Sequence, residues 1–456
     1  MLVKKEILSA LAFAFVYLVI FLIGEGVRKR IAGRPEIPRK VVHLLGGLVA
    51  MSFPYFITSH WTVLILSLSF SLIVIISKYK GSLKSVHGVK RKSYGGIYYP
   101  FAVYLIFLMA GNSPVIYLVS ILVMTVADTF AALLGDKYGN IKFDVEGNSK
   151  SLEGSAVFFF VTFLCVHLPL LLMTDIARVD SVLIAFIIAV LVAGFEAISL
   201  SGSDNIIVPF GTFFLLMKMI NLPHIAVLKS LYFLLAAITI TAFLSVRLRL
   251  FKPSGLIALM LLNYAALSLC NIYWFLPLLL AQVFYYLLIS VYVHYEGIEK
   301  VKAYQVKVIF YLGILPTIFI FSANAASEPM RFYLPYLTAI AAQMAIVSNY
   351  FFSKYLSRPF GAESFFKRHR RILEIACSFI ATLCIALIHV LLYKKTFIFN
   401  STFIVMAGTW VAYTMNFMMN RYYRGVKEDI FEYRRRFVSA ALGIGCVFLL
   451  QNIMPV

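Results

Sequence analysis

Long apolar runs separated by short polar segments form the pattern of this chain from end to end. Most runs are close to the roughly 17–25 residues that an α-helix needs to cross the hydrocarbon core of a bilayer. The pattern predicts an all-α fold, a polytopic transmembrane helical bundle with about 16 spans. The predicted spans cover approximately residues 8–24, 41–57, 60–77, 97–111, 114–135, 154–174, 180–200, 205–221, 225–246, 254–271, 273–292, 307–323, 331–353, 372–393, 398–420 and 437–453.

The composition indicates the same class of protein. Of the 456 residues, 62% are hydrophobic and only 13% are charged. Charged residues make up about 25% of a typical soluble domain, and a soluble chain of this size could not bury so much apolar surface. The five cysteines lie in or at the ends of apolar runs without CxxC spacing, which indicates small core residues rather than a disulfide framework or a zinc site.

The net charge of +21 is distributed in short basic clusters between the apolar runs. This distribution is typical of orientation signals and headgroup contacts, and it argues against nucleic acid as a partner. The clusters lie at 28–40, 78–92, 247–252, 300–307, 354–371 and 421–436. In the predicted topology all of them fall on one side, which the positive-inside rule makes cytoplasmic, so both termini are expected on the other side. The polar loops of the first half are then expected to converge on the cytoplasmic face.

An acidic residue, Asp128, lies inside the fifth predicted span. It is followed by Ala132, Gly135 and Gly139 at i+4, i+7 and i+11. If the helix continues as far as Gly139, this spacing places all four residues on one of its faces. Small residues on that face allow a second backbone or a ligand to approach closely. An unpaired carboxylate at this depth costs on the order of 3 kcal/mol, which predicts a functional site; a structural Asp capped by a neighbouring helix is the alternative.

A polar loop from Gly135 to Glu153 follows this span and contains glycines and lysines. Glycines allow backbone N–H groups to point at an anion, and lysines supply charge for phosphates. The segment Lys150-Ser151-Leu152-Glu153-Gly154-Ser155 opens the sixth span, where Ser151 or Ser155 is expected to cap the helix and its N-terminus to face a phosphate. No GxxxxGK[ST] motif is present, so this is not a Walker A loop.

Further polar groups border the second, fourth and seventh spans. Residues Arg39, Lys40, His43, Gly46 and Gly47 open the second span; Arg91, Ser93, Gly95, Gly96 and Pro100 lead into the fourth; Glu196, Ser199, Ser203, Asp204 and Asn205 close the seventh. Two carboxyl groups there, together with Asp128, supply the hard oxygen ligands that a magnesium–phosphate site needs.

In these residues the chain resembles the polyprenol kinase superfamily, which includes dolichol kinases, phytol kinases and CTP-dependent diacylglycerol kinases. The matching pieces, in family order over about residues 25–215, are Arg39-Lys40-x-x-His43-x-x-Gly46-Gly47, Arg91-x-Ser93 with Gly96 and Pro100, Ala127-Asp128-x-x-Ala131 with Gly135 and Gly139, Lys150-Ser151-x-Glu153-Gly154-Ser155, and Glu196 with Asp204-Asn205 and Pro209. Each piece is weak alone, and five in order are a specific signal.

The resemblance implies transfer of the γ-phosphoryl group of a nucleoside triphosphate, usually CTP, to a membrane lipid alcohol such as dolichol, phytol or geranylgeraniol, with Mg²⁺ and a cytoplasm-facing site. It implies catalytic functions for Asp128, Lys150, Glu153 and Asp204, with Asp128 and Asp204 as metal ligands. It implies nucleotide binding by Arg39, Lys40, Gly135, Gly139, Lys150, Ser151 and Gly154. It implies substrate binding by His43, Arg91, Glu196 and Asn205.

The resemblance covers one half of the chain. We expect a catalytic transmembrane domain at residues 1–222 and an additional transmembrane bundle of unknown function at 223–456. Two other functions are open: a cytidylyltransferase that makes CDP-diacylglycerol, whose long signature is absent, and a lipid transporter or flippase. The sequence is compatible with the plasma membrane of a prokaryote and with the endoplasmic reticulum membrane of a eukaryote. It also leaves the oligomeric state open.

Overall fold

The computed structural model describes residues 2–31, 33–88, 94–111, 113–246, 251–296, 305–356, 369–392, 398–422 and 429–454. The chain divides into two compact units, Met1–Tyr232 and Phe233–Val456. The division lies within a helix that begins at His224, just after the predicted boundary at 222. Assignment of catalysis to one of the two parts stays a prediction.

The first unit consists mainly of helices, and one of them continues into the second unit. They are α1 (Leu2–Arg30), α2 (Glu36–Met51), α3 (Phe53–Phe56), α4 (His60–Tyr79), α5 (Lys84–His87), α6 (Gly95–Ala110), α7 (Pro114–Leu122), α8 (Asp128–Tyr138), α9 (Leu152–Met173), α10 (Arg178–Ile198), α11 (Asp204–Met219) and α12 (His224–Val246). A π-helical turn, Val123–Ala127, joins α7 to α8 without a break. Strands β1 (Lys142–Val145) and β2 (Asn148–Ser151) lie between α8 and α9.

In the described ranges the second unit consists of helices joined by short non-helical segments. Its helices are α13 (Pro253–Ala265), followed by a π-helical turn (Ala266–Cys270), α14 (Ile272–Glu296), α15 (Val306–Ala325), a 3-10 turn (Pro329–Phe332), α16 (Tyr333–Leu356), α17 (Arg370–Leu392), α18 (Ile398–Tyr422) and α19 (Asp429–Ile453). Its core includes Trp274, whose carbonyl oxygen accepts a hydrogen bond from the buried Tyr336. Gly408 allows α18 and α19 to pack closely, since an added Cβ would lie 2.9 Å from the carbonyl oxygen of Gly443.

Eleven helices in the described part of the chain are long and apolar enough to cross a membrane, and Gly95–Ala110 and Ile372–Ala386 are shorter apolar helices. Each predicted span falls on a helix. The all-α polytopic bundle is therefore confirmed, and the chain is an integral membrane protein. The count of about 16 spans stays a prediction, because several of the helices are shorter than a bilayer crossing requires.

The β-hairpin is a departure from the predicted loop between the fifth and sixth spans. Strand β1 pairs antiparallel with β2, and the register places Val145 opposite Asn148. The two residues between them, Glu146 and Gly147, have φ of 52° and 86°, the signs that a type I′ turn requires. Asp144 Oδ1 accepts the Gly147 N–H at 2.8 Å and fixes this turn. The loop is therefore a folded hairpin.

The core of the first unit surrounds the continuous segment from α7 to α8. Helix α9 packs against both α8 and α10. The hydroxyl of Tyr117 on α7 donates to the carbonyl of Ala50 on α2 at 2.8 Å, and the hydroxyl of Tyr17 on α1 donates to the carbonyl of Gly46 at 2.9 Å. Helix α2 is thus held between α1 and α7, which positions its polar first turns beside Asp128.

Candidate active site

Asp128 begins α8 directly after the π-helical turn and is paired with α2. Lys40 Nζ donates to Asp128 Oδ2 at 2.5 Å and to the Asp128 backbone carbonyl at 3.1 Å. The Lys40 side chain is only 3% exposed and that of Asp128 13%. A buried ion pair of this kind is stable only while both partners are present. The π turn widens the helix at this point, a feature that is frequent at functional sites.

His43, one turn after Lys40, extends this pair. Its Nε2 lies 3.0 Å from the carbonyl oxygen of Met124, in the π turn, and 3.3 Å from Asp128 Oδ2. Both neighbours are acceptors, so Nε2 carries the proton, and in the neutral ring Nδ1 is the acceptor. The ring of Tyr99 packs edge-on against the imidazole, with the ring centroids 4.9 Å apart. Residues of α2, the π turn and α6 thus fix the orientation of His43.

The glycines after Asp128 permit a close approach between α8 and the start of α9. A Cβ on Gly135 would lie 3.1 Å from the Cα of Gly154, and a Cβ on Gly139 would lie 2.6 Å from the Cβ of Ser151. Ser151 Oγ accepts the Gly154 N–H at 3.1 Å and so caps α9, as the sequence predicts for one of two serines. The predicted close approach of a second backbone is found at Gly135, whereas α8 ends at Tyr138 and Gly139, whose backbone is extended, lies beyond the helical face predicted for it.

Lys150, at the end of β2, reaches the C-terminal end of α10. Its Nζ lies 2.6 Å from Glu196 Oε1 and 3.1 Å from Ser199 Oγ, and it also donates to the carbonyl oxygen of Glu196. Glu153 faces elsewhere: its Oε1 accepts the N–H groups of Asn140 and Ile141, each at 3.0 Å. Glu153 therefore holds the segment that enters β1.

A polar cavity of about 270 Å³ brings most of these residues together. The predicted site residues that line it are Arg39, Lys40, Asp128, Gly135, Lys150, Ser151, Gly154, Glu196 and Asp204. The wall also contains Asp136 and Lys142 of the predicted polar loop, and it contains Glu36, Asn148 and Ser149, which the prediction did not name. The wall contains three ion pairs: Lys40 with Asp128, Lys150 with Glu196, and Arg39 with Glu36 at 2.6 Å. The i, i+3 spacing of Glu36 and Arg39 on a helix could have indicated this ion pair from the sequence.

A second, largely apolar cavity of about 450 Å³ lies beside the first. Its wall includes Tyr17, Phe21, Phe53, Leu66, Phe70 and Val103. Its polar lining includes His43 and Asn205, which were predicted to bind the second substrate. Arg39 lines both cavities. The two cavities therefore share part of their wall at the N-terminal end of α2.

Three predicted site residues lie elsewhere. Gly139 and Glu153 support the hairpin from outside the two cavity linings. Arg91 lies outside the residues that the structure describes. Glu196, predicted on the side of the second substrate, lines the polar cavity with Lys150 instead.

Carboxylates suited to a divalent cation line the polar cavity, among them Asp128, Asp136 and Asp204. No group of three or more His, Cys, Asp or Glu side chains in the described ranges is placed to hold a metal unaided. Asp128 is engaged with Lys40, whereas Asp204 Oδ1 accepts the N–H of Asn205 at 3.1 Å. This donor set fits an ion that arrives with a nucleotide, because Mg²⁺ is commonly held by one or two carboxylates together with substrate phosphates.

Comparison with known proteins places the chain in a family. No model of a protein family and no solved structure matches the chain. A curated relative, the phytol kinase of Synechocystis sp., is 30% identical over 207 residues, which cover 44% of this chain and 88% of that protein. The match spans nearly the whole relative, and five motifs of its superfamily occur in order along the sequence of this chain. Through its N-terminal half, the chain therefore belongs to the polyprenol kinase superfamily.

Proposed function

We propose that the first unit is a lipid-alcohol kinase, which transfers the γ-phosphoryl group of CTP or another nucleoside triphosphate to an isoprenoid alcohol such as phytol, geranylgeraniol or dolichol. The observation that carries the proposal is the junction of a polar cavity with an apolar one at Arg39 and the Asp128–His43 contact. A kinase that acts on a lipid needs such a junction, because one substrate is a charged nucleotide and the other is dissolved in the bilayer.

The polar cavity supports nucleotide binding. Ser151 and Gly154 bring the N-terminus of α9 to its wall, where the positive end of the helix dipole favours phosphate. Lys142 and Lys150 add positive charge from the two strands of the hairpin. A phosphate would compete with Glu196 for Lys150, which gains a charge-assisted bond to either partner.

The apolar cavity supports binding of the lipid. Its aromatic and aliphatic wall suits an isoprenoid chain, and its polar lining includes His43 and Asn205. We place the lipid hydroxyl beside His43, whose Nδ1 is the acceptor of the neutral ring. Asp128, 3.3 Å from Nε2 of the same ring, lies on the side of the polar cavity.

The chemical step then needs mainly positioning and charge neutralisation. The hydroxyl oxygen of the lipid forms a bond to the γ-phosphorus, the bond from that phosphorus to the bridging β–γ oxygen breaks, and the nucleoside diphosphate leaves. The hydroxyl proton passes to a nearby acceptor, for which Asp128 and His43 are the candidates. Arg39 and Lys40 lie where they can neutralise charge on the transferred group.

We propose Asp204 and Asp128 as ligands for a magnesium ion that binds together with the nucleotide. The ion supplies neutralisation of the phosphate oxygens. Asp204 is the more available of the two, since the Asp128 carboxylate is engaged with Lys40. We place the site at the cytoplasmic face of the membrane, because the basic cluster at 28–40 contains Arg39 and Lys40 of the polar cavity, and Lys78 of the cluster at 78–92 lines the apolar one.

Phosphate transfer by membranes that contain the protein tests this proposal. The assay supplies γ-labelled CTP or ATP, magnesium and a panel of alcohols that includes phytol, geranylgeraniol, dolichol and diacylglycerol. We expect label in a lipid monophosphate, and loss of that label in the Asp128→Asn variant. Folded protein that labels none of these alcohols with either nucleotide would contradict the proposal.

A further inference from the structure

The second unit contains an apolar cavity of its own, with a volume of about 140 Å³. A single buried water needs about 10–15 Å³ by this measure, so the space is sufficient for the end of a larger molecule. Helices α12 to α16 all contribute to its wall. Each of these helices, with α13 taken together with its π-helical turn, is long and apolar enough to cross a membrane, which favours a ligand from the lipid phase.

The lining of this cavity selects against charge. Among its described lining residues none is Asp, Glu, Lys, Arg or His. A charged group placed there would lose its hydration without gaining a counter-ion, which is costly in a membrane interior. The cavity therefore suits an uncharged molecule and rejects a phosphate ester.

Two glutamines line the cavity, and their hydrogen bonding differs. Gln282 on α14 is matched within the protein: its Nε2 donates to Asn263 Oδ1 at 2.6 Å, and its Oε1 accepts from Asn263 Nδ2 at 3.2 Å. Asn263 Nδ2 also donates to Thr241 Oγ1 at 3.2 Å, so this group connects α12, α13 and α14. Gln343 on α16 has no such partner among the described residues, and its Nε2 and Oε1 are both buried.

An amide buried without partners costs on the order of 1–3 kcal/mol, and native proteins seldom retain one without a reason. Gln343 offers one donor group and one acceptor group side by side. A hydroxyl is a small uncharged group that accepts from the first and donates to the second, and it can be carried on an apolar chain. The neighbouring lining residues Ile340, Met344 and Val347 would contact the apolar chain that carries it.

We infer that this cavity is a binding site for the hydroxyl end of an uncharged lipid alcohol, held by the amide of Gln343. The site is separate from the one described above, since its lining residues all belong to the second unit. The inference does not depend on kinase activity in the first unit. It gives the C-terminal half of the chain a function in holding lipid.

A photoaffinity experiment tests this site in the full-length protein. The probe is a labelled long-chain alcohol with a photoreactive group near its hydroxyl, and cross-linked peptides are mapped by mass spectrometry. We expect cross-links in peptides of α14 to α16, competed by an unlabelled alcohol at least tenfold more strongly than by an alkane of equal length, and not by the corresponding alkyl phosphate. Equal competition by alkane and alcohol, or effective competition by the phosphate, would overturn the inference.

Variants of α16 separate binding from folding. Gln343→Leu keeps the approximate volume and removes both polar atoms, so cross-linking of α14 to α16 should fall about tenfold at subsaturating probe. Thr338→Val on the same helix is the matched control, because Thr338 Oγ1 is also buried without a partner among the described residues but does not line the cavity. Cross-linking of the first unit should be unchanged in both variants.

A second variant keeps the inference testable if Gln343→Leu does not fold. Ala281→Leu fills the cavity from α14 and leaves Gln343 in place. We expect it to abolish cross-linking of α14 to α16. Undiminished cross-linking in folded Gln343→Leu or in Ala281→Leu would show that Gln343 is only a buried amide and would overturn the inference.

Discussion

Asp204 and Asn205 are consecutive residues at the start of α11, and they line different cavities. Asp204 lines the polar cavity with Asp128 and Lys150, whereas Asn205 lines the apolar cavity with His43. One turn of helix thus supplies a carboxylate to the proposed nucleotide side and an amide to the proposed lipid side. The wall between the two cavities is where the two substrates would meet.

The Lys40–Asp128 pair is predicted to serve both stability and activity. Asp128→Asn leaves the 3% exposed Lys40 ammonium without its counter-ion, so we expect the free energy of unfolding to fall by roughly 3–5 kcal/mol, together with loss of phosphate transfer. The double variant Lys40→Met, Asp128→Asn removes the unpaired charge and should recover much of the stability but none of the activity. Thermal unfolding in detergent and turnover report the two effects. Recovery of activity in the double variant would contradict a function of Asp128 in the reaction.

Lys150 is predicted to bind the nucleotide. We expect Lys150→Met to raise the KM for the nucleotide about 10–100-fold, because a hydrogen bond to a charged group contributes roughly 1.5–3 kcal/mol. Lys137→Met is the matched control, since Lys137 is exposed, contacts the ring of Tyr138 and does not line the cavity. Initial rates at varied nucleotide concentration give the KM for the nucleotide in both variants. An unchanged KM in Lys150→Met would remove Lys150 from the nucleotide site.

The packing of α8 against the hairpin is predicted to tolerate no side chain at Gly139. A Cβ there would lie 2.6 Å from the Cβ of Ser151 in β2, so Gly139→Ala must displace the hairpin and should reduce activity at least tenfold. Gly26→Ala in α1 is the control, because its Cβ would meet nothing within 4 Å. It should leave activity unchanged and raise stability by up to about 1 kcal/mol through helix propensity. Full activity in Gly139→Ala would show that this close approach is not needed.

The apolar cavity is predicted to bind the lipid and not the nucleotide. Gly46 lines it, and a Cβ there would make only an ordinary contact of 3.4 Å with the ring of Tyr17. Gly46→Ala should therefore retain activity, whereas Gly46→Leu should raise the KM for the lipid alcohol at least tenfold with the KM for the nucleotide unchanged. Steady-state kinetics with each substrate varied in turn give the KM for the lipid and the KM for the nucleotide in each variant. A rise confined to the nucleotide KM in Gly46→Leu would reverse the proposed assignment of the cavities.

The helices could be predicted from the sequence because each apolar run is long and its composition leaves few alternatives in a bilayer. The hairpin could not be predicted with the same ease, because its strands are four residues each and polar. The signal that was present is Glu146-Gly147, a dipeptide with glycine that accepts the positive φ of a two-residue turn.

Most polar residues of the candidate site could be picked out because each is unusual at the end of an apolar run. Their partners could not, since pairing depends on packing between distant segments. Lys40 and Asp128 lie 88 residues apart, and Lys150 and Glu196 lie 46 apart. The π-helical turn before Asp128 has no sequence signature, yet it supplies the carbonyl of Met124 that fixes His43. The exposed contacts of Glu153 likewise depend on how the hairpin folds.

A kinase transfers the γ-phosphoryl group of the nucleotide, and nucleotide labelled at two positions tests this activity most directly. Folded full-length protein receives magnesium and either phytol or another alcohol of the panel or, in a parallel arm, phosphatidic acid. The donor is CTP labelled at either the α- or the γ-phosphorus, with ATP labelled in the same way as a second donor. The account predicts a labelled lipid monophosphate from the γ-labelled nucleotide alone, with release of the nucleoside diphosphate. Label that enters the lipid from the α-position with release of pyrophosphate, as a cytidylyltransferase would produce, or no labelled lipid from either position, would contradict it.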